Sequence, residues 1–242
     1  ILSIVNVVGS SIARLSDSVV YLHAGMEIGV ASTKAYTAQL TAFALLAAYL
    51  SEQRGTKTPS EIREFTDQLS RIPDQIRWCL ENDEAIKSCA EDPRYRDAHS
   101  TFFIGRGYNY PSALEGAIKL KEISYIHAEG YGAGEMKHGP IALVTDELPV
   151  ICIATQSEVY EKIISNIQEI RARNGILLSI ATLGDKRIDQ HSDMVIYVPE
   201  CSDALSPILN AIPMQLLAYH IAVNRGCDVD QPRNLAKSVT VE

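Results

Sequence analysis

The stretch from 115 to 140, EGAIKLKEISYIHAEGYGAGEMKHGP, concentrates side chains that move protons or attack carbonyls. Glu115, Lys119 and Glu122 stand at i, i+4 and i+7. A helix here lines them along one stripe, where opposed charges tune one another and supply acid and base groups. A solvated helix face is the plain alternative, and the stripe by itself does not choose. Downstream, Gly130, Gly132, Gly134 and Gly139 are interleaved with His127, Glu129, Glu135, Lys137 and His138. Ordinary surface loops do not need so many titratable groups among glycines, whereas a flexible loop closing over a substrate does. His127 and His138 are eleven residues apart and lack partners at ligand spacing. No metal and no organic cofactor is therefore expected.

Three further places invite a functional reading. Gly105-Arg106-Gly107 can cradle a phosphate at a helix N-terminus or can simply be a tight strand-to-helix turn. At 28–34, IGVASTK, either Ser32 or Thr33 is an N-cap, or Ser32 and the adjoining backbone face a bound ligand. The tail from 228 to 242 is polar and aperiodic, which usually means fraying, and nothing intrinsic marks Lys237 as reactive.

Elements that position these groups follow from the apolar pattern. Residues 1–8 read as a buried β-branched strand and 18–23 as a second one. A helix over 32–50 spreads Tyr36, Leu40, Phe43, Leu45 and Leu46 nearly all round. It expects cover from its own domain or from a second subunit. Residues 51–98 are charge-rich and helical, punctuated by Pro59, Pro73 and Pro93, and read as a connector. A fresh α/β cycle then begins: strand 101–104, a helix from about Pro111, and strand 149–154. A helix over 155–174 follows, opened by a Thr155/Glu158 capping box and stopped by Asn174-Gly175. Strands 176–181 and 194–198 and an apolar helix over 207–224 complete it. The fold class expected is α/β, doubly wound parallel sheets flanked by helices. Two units are expected, the first (1–50) cut short, so that the chain begins inside a domain. The connector is 51–98, the second unit 99–228 and the tail 229–242.

The 242 residues carry 22 Lys+Arg against 30 Asp+Glu, a net charge of −8, which argues against nucleic acid or an anionic membrane as partner. Five dispersed cysteines without a C-x-x-C pair suit buried thiols in a reducing cytoplasm. No apolar run reaches membrane-spanning length, and 1–8 lacks the basic flank of a signal peptide.

Three segments together resemble the glucosamine-6-phosphate synthase family (glutamine–fructose-6-phosphate transaminase, isomerizing): EIGVASTKAYT at 27–37, KLKEISYIHAEGYGAGEMKHGPIALV at 119–144, and DVDQPRNLAKSVTVE at 228–242. Their order and spacing run the length of the chain. The resemblance implies a pair of sugar-isomerase (SIS) domains, a homodimer, fructose 6-phosphate as substrate and a glutaminase domain upstream. Position by position, it makes Glu122 the base that moves a proton between C1 and C2 of the sugar. It makes His138 the group assisting ring opening, supplied by the other subunit, and Lys237 the amine that forms an imine with the open-chain ketose. Lys119 becomes a second lysine lining the site, and Val30, Ser32 and Ala236 become sugar contacts. To attack, the Lys237 amine must be neutral part of the time, which asks for nearby Lys119 or desolvation to favour the neutral form. The family's glutaminase domain and the opening part of its first SIS domain, with Ser/Thr-rich loops for the sugar phosphate, are not in these residues. Two other readings stand beside it. A plain ketose–aldose isomerase needs only Glu122 and His138 and leaves the lysine-bearing tail unexplained. A non-catalytic sugar-phosphate sensor predicts loss of the acid/base set, which is present.

Overall fold

The computed structural model describes residues 1–237. Its first part is a two-stranded parallel sheet, β1 (Leu2–Val5) beside β2 (Ser18–Tyr21), joined through the short α1 (Ser11–Arg14). The strands are shorter than the apolar runs suggest and are not buried throughout. Ser3 is covered, but Val7 and Val8, beyond β1, are exposed. After a loop comes α2 (Lys34–Gln53), none of whose residues is buried; Phe43, Leu45, Tyr49 and Leu50 stay exposed.

The connector is helical: α3 (Pro59–Glu81), α4 (Glu84–Glu91) and α5 (Pro93–Arg96). Its start is a full capping box. Thr58 accepts from the Glu61 amide, Glu61 accepts from the Thr58 amide, and Pro59 occupies the first helical turn. Pro73 does not punctuate the segment. It lies inside α3, which runs on past it to Glu81.

The second unit is a five-stranded, all-parallel sheet: β3 (Ser100–Gly105), β4 (His127–Gly132), β5 (Pro149–Ala154), β6 (Ile176–Thr182) and β7 (Met194–Val198), in the order β4-β3-β5-β6-β7. Alternate residues feed two cores. Phe103, Ile151, Leu178 and Ile196 face α6 (Asn109–Ser124) and α8 (Ser206–Asn224), with α4 behind them. Phe102, Ile104, Cys152 and Leu177 face α7 (Tyr160–Arg171). Helices on both faces explain why β5 and β6 are buried at every position and read as unbroken apolar runs.

Two local features differ from what the sequence pattern suggests. The Thr155/Glu158 capping box does not form: α7 starts at Tyr160 and its N-cap, Val159, has no side-chain cap bond. Thr155 is instead buried at the end of β5, where its hydroxyl accepts from the side-chain amides of Asn109 (3.3 Å) and Asn210 (3.3 Å). The glycine-rich segment is not a loop throughout. Gly130 and Gly132 belong to edge strand β4, paired with β3, and 3₁₀ turns Ala133–His138 and Pro140–Leu143 follow. A Cβ on Gly130 would fall 2.7 Å from the Leu114 backbone, so glycine there permits close strand–helix packing rather than motion.

Candidate active site

A cleft of about 210 Å³ lies where the 27–34 segment meets α6 and α8. Glu27, Gly29, Ala31 and Lys34 form one wall, Lys119 and Ile123 another, Gln215 and Tyr219 a third, and Val229 and Asp230 the rim.

Helix α6 contributes the rigid half. Its side chains Ala113, Ala117, Leu120 and Ile123 are buried in the core, which orients the stripe predicted from spacing. Lys119 is 5% exposed, with Nζ 2.7 Å from Glu122 Oε2 and 3.6 Å from Glu115 Oε1. It is a buried cation shared by two carboxylates, and the solvated-face alternative does not hold. Burial pushes the Glu115 carboxyl up, against the attraction of Lys119 and with repulsion from Glu122. Tyr36 of α2 is pushed up to about 12, first by burial and then by Glu115.

The loop before α2 contributes the other half, organised by a residue that the sequence reading did not single out. Glu27 Oε1 accepts from the amides of Thr33 (3.0 Å) and Ala35 (3.1 Å), and Ser32 Oγ lies 3.3 Å from Oε2. Thr33 is the N-cap by position but makes no side-chain cap bond; Glu27 performs that task from outside the helix. Lys237 Nζ donates to Glu27 Oε2 (2.8 Å), Gly29 O (3.1 Å) and Val30 O (3.3 Å). Burial would raise the Glu27 carboxyl, but Lys237 and the two amides outweigh it and hold it at about 2. The nearest charge to Lys237 is thus a carboxylate and not Lys119, whose charge is taken up by Glu122 and Glu115.

Of the expected site residues, Lys119 lines the cleft, Glu122 is bonded to it, and Val30 and Ser32 lie in the loop that holds Lys237. Ala236 is exposed beside Lys237, and residues 238–242 of the tail lie outside the described residues. His138 is exposed at the end of its 3₁₀ turn and does not line this cleft. The Gly105–Gly107 turn is accounted for by packing. A Cβ on Gly105 would meet Asn109 O at 2.0 Å, and Gly107 has φ +56°. Among the described residues no group of three or more His, Cys, Asp or Glu side chains is arranged to hold a metal, and no helix is long and apolar enough to cross a membrane.

A parallel sheet sandwiched by helices, with its ionisable groups gathered where a second α/β unit adjoins it, defines a class. The chain belongs to the SIS domain family, whose sequence pattern matches residues 1–49 and 94–225. Within that class it is similar to glutamine–fructose-6-phosphate aminotransferases [isomerizing]: 54% identical over 242 residues to that of Chlorobaculum tepidum and 53% over 241 to that of Thermus thermophilus. Each match takes in all of this chain, which spans only 39% and 40% of those relatives. The C-terminal domain of glucosamine-fructose-6-phosphate aminotransferase from Francisella tularensis superposes with a TM-score of 0.89 at 40% identity, over 95% of this chain and 64% of that one. Tagatose-6-phosphate ketose/aldose isomerase from Escherichia coli shares the fold at TM-score 0.73 and 18% identity, over 97% of this chain and 64% of that one.

Proposed function

We propose that this chain is the sugar-isomerising part of an enzyme that converts fructose 6-phosphate and glutamine into glucosamine 6-phosphate. The observation that carries the reading is one cleft lined by buried Lys119 and by Glu27, the first bonded to Glu122 and the second to the tail lysine, Lys237. In this reading the Lys237 amine adds to C2 of the open-chain ketose and water leaves, giving an imine. Ammonia from an upstream glutaminase domain displaces the lysine. Glu122 takes a proton from C1 of that ketimine and returns it to C2, so C1 becomes the aldehyde and C2 keeps the amine. Lys119 fixes the Glu122 carboxylate. As an ammonium whose three N–H groups meet three acceptors, Lys237 has no lone pair to attack with, so it must lose a proton and leave Glu27 before it adds to the ketose. Val30, Ser32 and Ala236 contact the sugar.

His138 assists ring opening from the second subunit of a homodimer. Its exposed position, outside its own chain's cleft, and the exposed apolar face of α2 support that arrangement. The enzyme is placed in the cytoplasm, supplying hexosamine synthesis toward UDP-N-acetylglucosamine. The test is product analysis of the intact protein with fructose 6-phosphate. Amino sugar formed only when glutamine is present supports the proposal. Aldose phosphate without amino sugar, glutamine being present, would replace it with a plain isomerase. Sugar binding without turnover would leave a sensor.

A further inference from the structure

The chain after α8 is fastened along the C-terminal end of α6. Arg225 Nε donates to Ser124 O (3.1 Å), and Asp228 accepts from the amides of Asp230 and Gln231. The Val30 amide donates to Asp230 O (2.9 Å), and Pro232 is buried. Beyond Pro232, the hydrogen bonds and ring contacts of 233–237 to the rest of the fold go, among the described residues, to two places. Lys237 goes to Glu27 and its loop. Arg233 goes to Tyr125: its amide donates to the Tyr125 hydroxyl (2.8 Å) and its guanidinium lies 4.1 Å from the ring centroid.

Tyr125 is the C-cap of α6, one helical turn from Glu122, and sits in the left-handed region at φ 62°. Glycine takes that position without strain and asparagine with little. The hydrogen bond and the cation–ring contact of the Tyr125 side chain are both with Arg233 of the tail. Lys237 follows Arg233 by four positions, a reach of at most about 14 Å between their Cα atoms even when extended. A pin at Arg233 therefore limits how far Lys237 can stray from the end of α6 when it is not bonded to Glu27.

We propose that Tyr125 is a positioning residue for Lys237, coupling the end of the base-bearing helix to the tail that carries the amine. The inference rests on the reading of Lys237 as the imine-forming group. Tyr125 does not line the cleft, so its loss lowers kcat and leaves KM for the sugar nearly unchanged.

The test uses Tyr125→Phe, which keeps the ring and loses the acceptor, and Tyr125→Gly, which loses both and relieves the backbone. In the intact protein two quantities are read: hydrogen exchange of a peptide containing Arg233, and the rate at which borohydride traps fructose 6-phosphate on Lys237. Loss of one hydrogen bond predicts about 5-fold faster exchange and about 5-fold slower trapping in Tyr125→Phe. Tyr125→Gly should reach about 30-fold in both, with the thermal midpoint kept or raised. Unchanged exchange in both variants would overturn the anchor. Faster exchange with unchanged trapping, or a rise in KM with kcat intact, would overturn the positioning role. A wild-type adduct that forms on another lysine would refute the imine reading, while the exchange measurement still reports the anchor.

Discussion

Lys119 and Lys237 are both lysines bonded to a glutamate at the same cleft, yet the chain holds them in opposite ways. Lys119 is buried, and both its carboxylates lie on its own helix, three and four residues away. Lys237 has a side chain 45% exposed, and its partner, Glu27, is 210 residues away in sequence. The first arrangement exists as soon as α6 forms and packs. The second needs the tail to have crossed the molecule and to be kept there. A proton-transfer base profits from fixed geometry, whereas an amine that must be released, attack and be displaced profits from a tether.

If that contrast is right, the largest effect belongs to Glu122. Glu122→Gln should lower sugar isomerisation by about 10²–10⁴-fold while glutamine hydrolysis in the intact protein persists. A rate within a few-fold of the parent would return Glu122 to a structural role. Lys119→Met should be chiefly a folding lesion, because it strands Glu115 and Glu122 without their shared cation. A loss of about 3 kcal/mol in a denaturant titration is expected, and a loss below about 1 kcal/mol would show the trio to be more solvated than its burial implies. Mixing Glu122→Gln with His138→Ala subunits should restore activity that neither variant has alone, and no recovery would exclude a site shared between chains.

The smallest effect is a pH dependence on the tail side. Glu27 is held at about 2 against an ordinary 4.5, a depressed carboxylate. Its stabilising contribution is therefore complete above pH 4.5 and is lost as pH falls toward about 2. Glu27→Gln should remove that part of the acid dependence, and a variant that tracks the parent between those values would contradict the assignment.

The same contrast explains what the sequence reveals. The Glu115–Lys119–Glu122 stripe was legible because helical spacing alone brings it together. Strands β5 and β6 were legible because burial on both faces leaves unbroken apolar runs. Strand β4 was not, since its glycines signal a loop unless one knows that the α6 backbone presses against Gly130. The T-x-x-E pattern at 155–158 misled for a similar reason. Its threonine is committed to Asn109 and Asn210 inside the fold, whereas Thr58 and Glu61, both exposed, were free to cap. Glu27 and Tyr125 act through partners that no local pattern joins, and only the resemblance to a family marked Lys237.

On this reading the sugar reacts between α6 and the 27–34 loop. A crystal structure of the intact protein with fructose 6-phosphate tests it most directly. C1 and C2 of the open-chain sugar are expected between the Glu122 carboxylate and the Lys237 amine, with Lys237 withdrawn from Glu27. A sugar bound instead at the Gly105–Gly107 turn, with the Lys237–Glu27 pair intact, would contradict it.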